Sequence, residues 1–75
     1  MKTLRIIVLR DSVLDLYLAD VGFIYDKIVH LSDMVCYKMN ISSPIQLIDF
    51  LVSKFCLKDF SVDCLDGHVF FRVRS

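Results

Sequence analysis

The chain has 75 residues, of which 56% are apolar and 24% charged; nine basic side chains balance nine acidic ones, and mean hydropathy is +0.59. Zero net charge removes the electrostatic footprint on which general nucleic-acid binders rely. With only two glycines there is no glycine-rich phosphate loop.

A single domain of this size gains only ~3–5 kcal/mol from its core unless a staple, metal or partner adds to it. The apolar share exceeds the usual roughly 45–50%, and a small domain has too much surface per volume to hide it all. Both points lead to the expectation of one compact domain, residues 1–75, that buries part of its surface on another chain. A membrane span needs about 20 apolar residues in a row. Here Asp11, Asp15, Asp20, Asp26, Asp33 and Asp49 interrupt every long apolar run, so no membrane partner is expected. The three cysteines, Cys36, Cys56 and Cys64, lie far apart in apolar contexts and read as buried free thiols in a reducing, cytoplasmic setting.

In chain order, Thr3 to Leu9 reads as a strand. It is apolar on both sides except at Arg5, which predicts a central or covered position in a sheet. The basic, apolar N-terminus is too short for a secretory leader and lacks a small-residue cleavage site. From Asp11 to Asn40, polar or small residues at 11, 15, 19, 22, 26, 30, 33 and 37 are spaced by three and four. That spacing predicts helix over Val13 to Met39, as one helix or two, with Ser12 and Asp15 as a capping box and Gly22 as the place for a break. An unbroken helix of that length would run about 40 Å. Residues 13–18 also alternate as a strand would, which is the rival reading.

Ser43, Pro44 and Gln46 stand at N-cap, N1 and N3 of a second helix reaching Leu57. Its polar strip is narrow, Gln46, Asp49 and Ser53, which predicts burial on more than one side. Last comes a β-hairpin. Asp66 and Gly67 between two alternating runs suit a two-residue I′ turn, which pairs Leu65 with His68 and continues to Phe60 with Val73. One face is then apolar, comprising Phe60, Val62, Cys64, Val69, Phe71 and Val73, and a one-residue slip would scramble it. The expected fold is therefore α+β: a three-stranded, mainly antiparallel sheet in the order β-α-α-β-β, with helices chiefly on one face.

Catalytic and metal chemistry find no footing. Cys64 and His68 fall on opposite faces of the hairpin and cannot share an ion. No Cys and His stand at a spacing typical of a nucleophile and base. Asp15, Asp26, Asp33 and His30 read as the solvent face of a helix. No enzyme activity, cofactor or metal is expected.

The second face of the sheet carries most weight. The hairpin presents Asp63, Leu65, His68, Phe70, Arg72 and Arg74 there, beside either Arg5, Ile7 and Leu9 or Leu4, Ile6, Val8 and Arg10 of the first strand. Large apolar groups mixed with arginines are the composition enriched at interface hot spots. Arg5, Leu65, Phe70, Arg72 and Arg74 are accordingly the expected partner-binding residues. The expected function is a small protein-protein interaction module of the accessory or inhibitor type, occupying a partner surface or forming a homodimer through its sheet. The alternative is nucleic-acid binding by a winged-helix-like arrangement or by the arginine-bearing sheet surface. The second helix, with Lys54 and Lys58 as its bases, is too apolar to read a groove.

Overall fold

A computed structural model describes residues 1–20, 26–29 and 33–74. The elements are β1 (Lys2–Leu9), α1 (Val13–Asp20), β2 (Asp26–Val29), β3 (Met34–Ile41), α2 (Pro44–Phe55), β4 (Phe60–Leu65) and β5 (His68–Val73). The fold is α+β, with two helices and a mixed sheet ordered β2-β3-β1-β5-β4. Four longer strands form its body, and the short β2 borders β3. Neighbours are antiparallel except β1 and β5, which run parallel with Leu4 opposite Val69 and Ile6 opposite Phe71.

β1 lies between β3 and β5, the central position that its Ile, Val and Leu content requires. The final hairpin has the expected register throughout, from Leu65–His68 to Phe60–Val73. Asp66 at φ 50° and Gly67 at φ 79° supply the two positive φ values of the turn.

Two helical expectations are corrected. Residues 26–29 and 34–41 are strands, so the order is β-α-β-β-α-β-β and the sheet has more than three strands. Along β3 the even positions Met34, Cys36, Lys38 and Asn40 alternate with Val35, Tyr37, Met39 and Ile41. That is a period of two, masked by the wider three-and-four spacing of polar residues. Gly22 and His30, the expected break and stripe member, lie outside the described residues. The proposed acidic helical face does not exist: Asp26 is in β2, Asp33 is in the turn before β3, and Asp15 is buried. The second helix begins at Pro44 as expected and ends two residues early, at Phe55, after which Cys56 adopts φ 52° and donates its N–H to the Val52 carbonyl. It is not buried on several sides, since Ile45 and Phe50 are about half exposed.

Both helices pack on one face. Leu14 and Leu18 of α1 and Ile48 and Leu51 of α2 close over Leu4, Ile6 and Val8 of β1, Val35, Tyr37 and Met39 of β3, and Val69, Phe71 and Val73 of β5. Tyr17 and Phe55 join the two helices edge to face, 5.0 Å between ring centroids. Coverage stops short of β4. Phe60 still packs on Phe71, but Val62 and Cys64, expected in the core, are exposed.

The start of α1 carries the buried polar contact of the core. Ser12 Oγ accepts the Asp15 N–H at 3.2 Å, the N-cap bond expected of it. The Asp15 carboxylate turns back to accept the Asp11 N–H at 2.8 Å, closing a capping arrangement one residue earlier than the usual box. Asp15 is only 2% exposed, and its other oxygen accepts from the fully buried Tyr37 hydroxyl. This bond ties the first turn of α1 to the middle of β3.

Removing the donor leaves a buried carboxylate oxygen short of a partner, which costs about 1–3 kcal/mol. Tyr37→Phe should therefore lower the unfolding free energy by that amount, read as a lower urea midpoint at unchanged m-value. An unaltered midpoint would mean that the Asp15–Tyr37 bond contributes nothing.

Candidate functional site

The face of the sheet opposite the helices is built from odd positions of β1 and β4 and even positions of β3 and β5. Registers between strands order it into rows: Asn40, Thr3, His68 and Leu65; then Lys38, Arg5, Phe70 and Asp63; then Cys36, Ile7, Arg72 and Ser61. Of the two β1 sets open to the sequence, it is Arg5, Ile7 and Leu9 that lie here.

Arg5 sits at the centre. Its like-charged cross-strand neighbour Lys38 is on one side and Phe70 on the other, and it sides with Phe70, its guanidinium carbon 5.3 Å from the ring centroid. Arg5 Nη1 also lies 2.9 Å from His68 Nδ1. Because a guanidinium can only donate, Nδ1 is the acceptor in this contact. Arg5, Leu65, Asp66, His68 and Phe70 line a shallow depression of about 470 Å³. Leu65, 66% exposed, forms its apolar rim, and exposed Arg72 stands in the next row beside Ile7.

Four of the five expected residues, Arg5, Leu65, Phe70 and Arg72, thus share one face. Arg74 lies one position past the strand, opposite Asp59, and outside the lining of this depression. It follows the end of β5, donates its backbone N–H to the Asp59 carbonyl at 2.8 Å and approaches the Asp59 carboxylate at 3.7 Å. It also borders a second depression of about 330 Å³, whose apolar walls include Val8, Val13, Leu14, Phe55 and Val73. Asp66 was overlooked as a site residue, its turn position being the available signal, and His68, which alternation had placed on this face, was not counted among the binding residues.

The thiols differ from expectation. Cys36 is buried, whereas Cys56 and Cys64 are exposed, one at the end of α2 and the other on the uncovered part of β4. Burial pushes the Cys36 thiol above its usual pKa, and the positive charges of Arg5 and Lys38 offset only part of that rise. A raised, buried thiol is a poor nucleophile. Among the described residues no group of His, Cys and Asp is placed to hold a metal ion, and no helix is long and apolar enough to cross a membrane.

No protein-family model matches the chain, and neither the curated proteins nor the solved structures provide a match.

The thiol environments make a direct test of this geometry. At pH 8 iodoacetamide should modify Cys56 and Cys64 promptly and Cys36 more than about tenfold more slowly, because only transiently opened molecules expose it. Equal rates at all three positions, read by peptide mass spectrometry, would place Cys36 at the surface.

Proposed function

We propose that the chain is a non-enzymatic protein-protein interaction module that engages its partner through the helix-free face of the sheet. Phe70 carries this reading. It is a large aromatic side chain, partly exposed on a face that neither helix covers, with Arg5 stacked on it and exposed Leu65 nearby. Aromatic and arginine side chains of this kind dominate binding energies at interfaces. Phe70 and Leu65 suit an apolar contact, while exposed Arg72 suits a carboxylate at its edge. The matching partner surface is thus an apolar patch fringed by acidic side chains.

Nucleic-acid binding is less well supported. The Phe70 ring, which would have to stack on a base, already carries the Arg5 guanidinium, and the neutral overall charge provides no general attraction for phosphate. The free thiols, two of them exposed, suit a reducing compartment.

A photo-crosslinking residue placed at Phe70, in the cell that makes the protein, should yield a discrete covalent adduct. The same probe at exposed Asp49, on the outer side of α2, should not. Absence of any adduct at position 70, or identical adducts at both positions, would overturn the assignment of the face.

A further inference from the structure

We propose that a second copy of this chain docks on the outer edge of β4, in antiparallel register about a twofold axis at Val62, so that the two sheets become one continuous sheet. The inference rests on reading the chain as an interaction module and names one partner, the chain itself, at a place distinct from the Phe70 face.

The backbone defines which groups are available. β4 lies at the end of the strand order and, among the described residues, has β5 as its one ladder partner. Asp59 accepts the Arg74 N–H, so the odd residues Asp59, Ser61, Asp63 and Leu65 direct their backbone groups towards β5, as antiparallel alternation requires. The N–H and C=O groups of Phe60, Val62 and Cys64 therefore point outward along an open edge. Such an edge is a template for another strand. Edges of this kind are commonly blunted by lysine, proline or a bulge; β4 contains none of these, and its exposed side chains include Val62, Cys64 and Leu65.

Symmetry then selects the register. Pairing about a twofold axis perpendicular to the sheet brings residues of like face together, so the axis must pass through a residue. An axis at Asp63 sets that carboxylate opposite its own copy, and one at Ser61 sets Asp63 opposite Asp59; both oppose like charges. An axis at Val62 sets Val62 opposite Val62, Phe60 opposite the partner's Cys64, and Ser61 opposite the partner's Asp63. All three outward-pointing residues then exchange both hydrogen bonds with the second copy. On the helix side, the exposed apolar groups of β4 meet one another. On the opposite side, Arg72 lies next to Ser61 in its row, and the partner's Asp63 follows directly across that small side chain, within reach of the guanidinium. The twofold repeats this charge pair.

The full chain tests this by light scattering over a dilution series, combined with residue-resolved amide exchange. The expected mass at high concentration is twice the 8.7 kDa of one chain. Association should slow exchange at Phe60, Val62 and Cys64 while leaving Ser61, Asp63 and Leu65, already bonded to β5, unchanged. Val62→Lys, at an exposed position, should reduce the mass to that of one chain without unfolding it. Val62→Pro, which removes only an outward N–H, should do the same. A wild-type monomer at every concentration overturns the proposal. A dimer that survives both Val62 substitutions but is lost in Phe70→Asp also overturns it, while leaving the Phe70 face standing as the binding surface. Absence of an adduct at Phe70 together with a dimer abolished by Val62→Lys would have the opposite meaning.

Discussion

The parallel ladder between β1 and β5 is the constraint on which the rest of the structure depends. It joins the first strand to the last, so every other element is folded within the span that it closes. Because β1 is apolar on both sides, it needs a partner on each edge and cover on at least one face. β3 supplies one edge, β5 the other, and the two helices the cover. Parallel neighbours cannot be joined by a tight turn, and here the intervening chain contains both helices and three strands. Such distant pairing carries the loop-closure cost of the whole intervening chain, a topology associated with slower folding.

That arrangement explains why the sheet has such different faces. The helices cover β3, β1 and β5, and their inner side chains Leu4, Ile6, Tyr37, Val69 and Phe71 are almost wholly removed from solvent. Beyond β5 the cover fails, leaving the inner face of β4 half wet. On the reverse side, alternation along the same strands sets Arg5, Phe70 and Arg72 in adjoining rows. The surplus of apolar residues for so short a chain is thus partly accounted for by Val62, Leu65, Phe70 and the outer side of α2, all of which remain at least partly exposed.

Features set by local chemistry were legible in the sequence, and those set by distant partners were not. The hairpin register could be read because Asp66 and Gly67 define the turn and period two does the rest. The start of α2 could be read from Ser43 and Pro44, although the Ser43 side chain makes no capping bond. The same alternation placed Leu65, Phe70 and Arg72 on one face. β3 was misread because a strand with Cys36 on the face turned from the helices keeps an apolar, helix-like texture, and because residues 26–41 contain no proline or glycine to mark a boundary. Asp15 was taken for a solvent-facing residue since nothing local reveals that Tyr37, 22 positions later, will supply its partner. The exposure of Val62 and Cys64 depends on where helical cover ends, a property of packing that strand periodicity does not encode.

The central position of β1 is the claim from which both interaction surfaces follow, and through-space NMR contacts between backbone protons test it most directly. The account predicts contacts of Leu4 with Val69 and of Ile6 with Phe71 in a parallel pattern, together with Ile6 to Tyr37 and Val8 to Val35 in an antiparallel one. Contacts confining β1 to a single neighbouring strand, or an antiparallel pattern between β1 and β5, would contradict it.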